Sequence, residues 1–142
     1  MGKKRIIKKG ESGAREVSST AAKKIKRKIS RGFVYINSTY NNTIITFADE
    51  QGAVVCWASA GSTGFSGAKK GTPYAASKVA SALTERAQGA GLEEVGIFVR
   101  GVGAGRESAI RALAAGGLAI NFIKDITPVP FNGPKPPKVR RV

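Results

Sequence analysis

The sequence has no histidine, one cysteine (Cys56), one tryptophan (Trp57) and only nine Asp+Glu against 24 Lys+Arg in 142 residues, for a formal net charge of +15. Each shortage excludes something. Without histidine there is no imidazole base, no Ser-His or Cys-His nucleophile pair and no histidine metal ligand. One thiol makes neither an internal disulfide nor a multi-cysteine zinc site, a usage that suits a reducing cytosol. The longest apolar run covers residues 53–58, against the roughly 20 residues a membrane helix needs. The basic start is not followed by the apolar core of a signal peptide. The expectation is a soluble, uncleaved, cytoplasmic protein with no metal, cofactor, small-molecule substrate or membrane partner.

What is present is positive charge, and it is unevenly placed. Residues 1–31 hold 12 Lys/Arg and 2 acids, net +10; residues 127–142 hold Lys135, Lys138, Arg140 and Arg141 without an acid; residues 32–126 hold 8 basic and 7 acidic residues, net +1. This divides the chain into a basic N-terminal extension (1–31), a nearly neutral core domain (32–126) and a proline-rich basic C-terminal tail (127–142). Charges of one sign at this density repel, so the tails are expected to be poorly ordered until a polyanion neutralises them. One such tail could simply solubilise. Two tails around a compact domain point to nucleic acid.

The core reads as alternating elements. Phe33-Val34-Tyr35-Ile36, Thr43-Ile44-Ile45-Thr46-Phe47 and Val54-Val55-Cys56-Trp57 form a meander broken by Asn41-Asn42 and Gln51-Gly52. Both faces of these strands are apolar, so a cover is expected on each. Thr72 and Pro73 read as the N-cap and first residue of a helix, with Gly89 at its C-terminal stop. Val95-Gly96-Ile97-Phe98-Val99 is a strand, residues 106–115 form a helix closed by Gly116-Gly117, and Ile120-Asn121-Phe122-Ile123 is a last strand that Pro128 and Pro130 forbid to continue. Cys56 is expected as a small buried residue of its strand, and Trp57 reads as core or as a contact surface, core being the more frequent outcome.

Strands joined through helices run parallel. The first hairpin tip, the glycine-rich loops 59–71 and 101–105, both helix N-termini and the C-terminal tail therefore meet at the carboxyl edge of the sheet, where open α/β sheets bind ligands. Helix N-termini and glycine-rich backbone suit phosphate. Ser62, Thr63, Lys69 and Lys70 in the first loop, Gly103, Gly105 and Arg106 in the second, and Asn41 and Asn42 at the tip hold nucleic-acid backbones without reading bases. A mononucleotide site fits less well. Gly101-Val102-Gly103-Ala104-Gly105 brings its third glycine one residue too early for a dinucleotide fingerprint, and the first loop does not satisfy the P-loop spacing. On this reading Arg106→Ala weakens binding with little loss of fold.

The blocks Asn41-Asn42-Thr43, Trp57-Ala58-Ser59-Ala60-Gly61, Lys70-Gly71-Thr72-Pro73-Tyr74, Gly105-Arg106-Glu107-Ser108, Ile110-Arg111-Ala112-Leu113 and Asp125-Ile126-Thr127-Pro128-Val129-Pro130 resemble the S-eleven family of small-subunit ribosomal proteins. The resemblance runs from about Gly32 to Val142. It implies a ribonuclease H-like α/β fold without nuclease activity, with a five-stranded mixed sheet in order 3-2-1-4-5, the second strand antiparallel, and two main helices. It also implies a structural constituent of the small ribosomal subunit that binds small-subunit ribosomal RNA on the platform beside other ribosomal proteins, near the messenger exit where the Shine-Dalgarno helix forms. The family's RNA-contacting segments map onto Asn41-Asn42, the loop 61–70, Gly103, Gly105, Arg106 and the tail from Asn132 through Lys135, Lys138, Arg140 and Arg141; Arg111 belongs to the same matched blocks. The alternative is a free nucleic-acid chaperone with the same charges and no fixed site.

Overall fold

The computed structural model describes residues 29–139. Five strands, β1 (Arg31–Ser38), β2 (Thr43–Asp49), β3 (Val54–Ser59), β4 (Glu94–Arg100) and β5 (Ala119–Asp125), are joined by two helices, α1 (Pro73–Gly89) and α2 (Gly105–Ala115). The sheet order is β3-β2-β1-β4-β5. Strand β2 is antiparallel to β1 and β3, whereas β4 is parallel to β1 and β5. The mixed sheet and its order are those implied by the resemblance, and the elements lie where the hydrophobic pattern and turn residues put them.

Local chemistry sets the ends of α1. Thr72 Oγ1 accepts the N–H of Ala75 at 3.3 Å, and Pro73 supplies the first helical residue. At the other end the stop is not Gly89, as the sequence suggested, but Gly91, the residue with φ of 90°. The N–H of Leu92 reaches the Ala87 carbonyl at 3.1 Å and that of Gly91 reaches Gln88 at 2.9 Å, the paired closure of a Schellman motif. Leu92 is buried beneath it.

Both helices lie on one face of the sheet. The crossovers β3–α1–β4 and β4–α2–β5 step across the sheet in the same direction, so a common right hand puts their helices on the same side. Val34, Ile36, Ile45, Phe47, Val95, Ile97 and Val99 from the strands share one core with Ala75, Val79 and Leu83 of α1 and Ala109 and Leu113 of α2. Small residues let the helices approach closely: a Cβ at Gly105 would press on Ala76, and one at Gly116 on Thr84.

The expectation of a cover on each face is therefore corrected. The second face carries Phe33, Tyr35, Phe98 and Phe122, and no helix covers it among the described residues. Trp57 belongs to this face and is 58% exposed, so the preference for core is also corrected. The reason is pairing: Trp57 sits opposite Thr46, and Thr46 opposite Tyr35, which places all three on the open side. Cys56, one residue earlier, faces the helices and is half-buried.

Candidate nucleic-acid interface

Strands β1, β3, β4 and β5 share one direction, so the hairpin tip 39–42, the loop 60–72, the loop 101–104 and the tail all leave from the carboxyl edge. The tip is a closed turn. Thr39 donates its backbone N–H to the Asn42 carbonyl at 2.9 Å, and its hydroxyl accepts the Asn42 N–H at 3.1 Å. Asn41 and Tyr40 are left exposed at its apex. Asn42 Oδ1 is buried without a hydrogen-bond partner among the described residues.

Glycine is required because the loops press on this tip. A Cβ at Gly71 would collide with the Tyr40 carbonyl oxygen, and one at Gly101 (φ 99°) with the Ser38 carbonyl oxygen. At Gly103 it would strike the Thr39 carbonyl oxygen and the Ser38 hydroxyl. Gly103 instead donates its N–H to Ser38 at 3.0 Å. The glycines that invited comparison with a phosphate loop thus pack three segments into one surface.

In the first loop Ser62 Oγ accepts the Ser59 N–H at 2.9 Å and donates to the Ser59 carbonyl at 2.9 Å. Thr63 Oγ1 reaches the Ala60 carbonyl at 3.0 Å. The hydroxyl protons of Ser62 and Thr63 therefore hold the loop's shape. Lys69 and Lys70 follow in a short 3-10 helix, Gly67–Gly71, immediately before α1. Neither is ion-paired among the described residues.

The second loop is tied to the tail by Arg106. Its guanidinium donates to the Gly101 carbonyl, to Thr127 Oγ1 at 3.2 Å and to Asp125 Oδ2 at 2.6 Å. Asp125 Oδ1 accepts the Thr127 hydroxyl at 2.6 Å and the Thr127 N–H at 2.8 Å. Gly101 completes the clasp by donating to Thr127 Oγ1 at 3.1 Å. The Thr127 hydroxyl, then Arg106, then the Thr127 N–H hold the Asp125 carboxyl well below the usual carboxylate range. This geometry gives Arg106 a part in holding the fold that the sequence did not suggest, since its guanidinium is bonded inside the protein. Sequence reading missed this because Asp125 and Thr127 lie 19 and 21 residues away. Only the Asp-x-Thr pattern, which favours a side-chain-to-backbone turn, hints at half of the clasp.

The remaining candidates divide. Asn132, Lys135 and Lys138 are exposed in the tail beyond the clasp. Arg111 lies inside α2 rather than in a loop of the edge, and its exposed side chain reaches back one turn to pair with Glu107 at 3.1 Å. Arg140, Arg141 and the basic residues 1–28 lie outside the described residues. Burial pushes the Cys56 thiol up, opposed by Arg86, so it is a poor nucleophile. No group of three or more Cys, Asp or Glu able to hold a metal occurs among the described residues. No helix among them is long and apolar enough to cross a membrane.

Acids are concentrated at the opposite, amino edge. Asp49 and Glu50 close the β2–β3 turn, and Glu93 and Glu94 lead into β4. Near the carboxyl edge the only described carboxylates are Glu107 and Asp125, and each is bonded to an arginine.

Comparison with known proteins supplies the family. Residues 32–141 match the family model of ribosomal protein S11. The chain is 54% identical over 129 residues to the small ribosomal subunit protein uS11 of Rippkaea orientalis, an alignment covering 91% of this chain and 99% of that protein. It is 56% identical to protein uS11c of Cyanidioschyzon merolae (84% of this chain, 99% of the relative) and 55% identical to uS11 of Gloeobacter violaceus (84% and 92%).

Proposed function

The chain belongs to the ribosomal protein S11 family, and from that premise we propose that it is a non-enzymatic structural constituent of the small ribosomal subunit that grips ribosomal RNA with its carboxyl edge and tails. The finer reading sets it on the platform of a cytoplasmic ribosome, beside other platform proteins and bordering the messenger exit where the Shine-Dalgarno helix forms. One observation carries the RNA surface. Lys69 and Lys70 stand just before the N-terminus of α1, where the helix dipole already disfavours a cation. A polyanion seated there neutralises both lysines and meets the positive end of α1 at once.

Binding then divides into two parts. The tails neutralise phosphates and release counterions, so affinity falls with salt by a log–log slope of roughly −0.7 to −0.9 per phosphate contacted. The close-packed loops fit a folded RNA shape and fix position. Arg106 serves this surface as a positioning residue, aiming the tail that carries Asn132, Lys135 and Lys138. The test is a footprint on small-subunit RNA with the full chain and with residues 1–31 removed. The shortened protein should bind more weakly, with a shallower salt slope, on the same nucleotides; a relocated footprint would contradict the division. Co-sedimentation with small subunits after a moderate salt wash separates this reading from a free nucleic-acid chaperone, which would wash off.

A further inference from the structure

The open face of the sheet is more than a side that the helices leave bare. Phe122 lies over Gly96, where any Cβ would strike its ring, a glycine covered by an aromatic neighbour. Around it Phe98 stands edge-on at 5.5 Å and Phe33 tilts at 6.3 Å. Phe98 in turn stacks on Tyr35 at 5.2 Å with only 12° between the planes. The cluster packs against itself and still leaves Phe122 42% and Tyr35 38% exposed. Trp57 stands on the same face two strands away, across Thr46.

Charge says what would sit there. The one carboxylate on this face among the described residues, Glu94, is paired with Arg31 at 2.9 Å. Two cations border the rings on the side toward the carboxyl edge: Arg100, in register with Asn37, and Lys124, in register with Phe98. Both are exposed and without an ion pair among the described residues. An occupant must therefore offer flat apolar surfaces and negative charge together. Unpaired nucleotides do so, because every base has a face that stacks on an aromatic ring and every linkage carries a phosphate. A protein partner would need acidic groups placed among its apolar ones. The face also opens onto the proposed RNA surface, since β1 runs directly into the hairpin tip and β4 into the loop 101–104.

We propose that this open face is a single-strand RNA platform, with unpaired bases stacked on Tyr35, Trp57 and Phe122 and phosphates held by Arg100 and Lys124. The proposal rests on the ribosomal-RNA reading above but uses a different surface, so the two fail separately.

The experiment titrates the full chain with a single-stranded 12-nucleotide oligoadenylate and, in parallel, with folded small-subunit RNA, following the emission of the only tryptophan, Trp57. Oligoadenylate should shift Trp57 emission. Tyr35→Leu, which keeps apolar bulk and removes the ring, should weaken oligoadenylate binding about fivefold or more. This loss should persist as salt rises, because stacking is not a counterion effect. Should Tyr35→Leu fail to fold, Trp57→Leu decides by anisotropy of labelled oligoadenylate, since its ring lies outside the core. Unchanged affinity in the folded variant, or an unmoved Trp57 signal, overturns the platform. A photo-crosslinking residue in place of Phe122 gives the second arm in assembled subunits: crosslinks to RNA support the proposal, and crosslinks to protein overturn it. Lys69→Gln with Lys70→Gln probes the carboxyl edge alone. If that pair leaves folded-RNA affinity intact, the edge reading fails, whatever happens to oligoadenylate.

Discussion

The carboxyl and amino edges of the sheet are made by the same strands and differ in almost every chemical respect. At the carboxyl edge two glycine-bearing loops interlock with the hairpin tip, Lys69 and Lys70 stand without an ion pair among the described residues, and each nearby carboxylate is bonded to an arginine. At the amino edge the connections are short and carry Asp49, Glu50, Glu93 and Glu94. Helix stability alone would favour the reverse. Strand direction sends the positive N-terminal ends of α1 and α2 to the carboxyl edge, where anions are preferred, and their C-terminal ends to the amino edge, where cations are preferred. Lys69 and Lys70 beside one end of α1, and Glu93 and Glu94 near the other, both oppose the dipole. Within the helices the charges follow the dipole, with Arg86 in the last turn of α1 and Glu107 in the first turn of α2; the flanking charges that oppose it are understandable if an anion completes one edge and is kept from the other.

That contrast can be broken from either side. The largest effect on the protein itself is expected from Gly103→Ala, which drives a methyl group into the Thr39 carbonyl and Ser38 hydroxyl; it should cost up to about 3 kcal/mol in denaturant unfolding. Exchanging both Lys69 and Lys70 for Glu should weaken RNA binding at least about tenfold at low salt. Reversing Glu50 and Glu93 to Lys should leave affinity within about twofold, because those charges sit a strand length away, beyond the screening distance. Equal losses from the two reversals would erase the distinction between the edges.

Smaller effects sharpen the picture of the clasp. Arg106→Ala removes hydrogen bonds to Gly101 and Thr127 and should destabilise by about 1–2 kcal/mol, read as a lowered melting temperature. An unchanged melting temperature combined with weaker RNA binding would return Arg106 to the role of direct phosphate ligand. Asp125 gives the clasp a pH signature. Its carboxyl is depressed in the folded protein, whereas the unfolded chain takes up that proton near pH ~4. The contribution is therefore complete at neutral pH and fades as acidity increases below about pH 4 toward the depressed folded value. Asp125→Asn should flatten that part of the stability-against-pH curve; a curve identical to that of the unsubstituted protein would remove Asp125 from the clasp. Least of all, Arg111→Ala, which breaks an exposed pair with Glu107, should change stability by less than about 0.5 kcal/mol.

Much of the fold was legible in the sequence because short-range signals agree. Thr72-Pro73 starts α1, paired glycines end α2, and turn residues separate the meander strands. The α1 stop, placed at Gly89 and found at Gly91, was missed locally; the other failures share a cause, since they depend on partners distant in the chain. Trp57 reads as core until pairing through Thr46 puts it beside Tyr35 on the uncovered side. Apolar residues on both faces suggest two covers, but crossovers of one hand in one direction supply only one. Arg106 reads as a free cation because the clasp that occupies it closes through Asp125 and Thr127. At the edge, spacing and strand direction located Asn41, Asn42, Gly103 and Gly105 together. What they could not show is that Gly103 and Gly105 are needed for packing against Ser38, Thr39 and Thr43.

Hydrogen exchange of the full chain, free and bound to small-subunit ribosomal RNA, most directly tests whether one edge meets RNA. Backbone amides of the hairpin tip, the loop 59–71 and the loop 101–105 should slow on binding, while those of the acidic turn 49–53 and of residues 90–94 keep their free rates. Slowing at the acidic turn with unchanged loops would contradict the account.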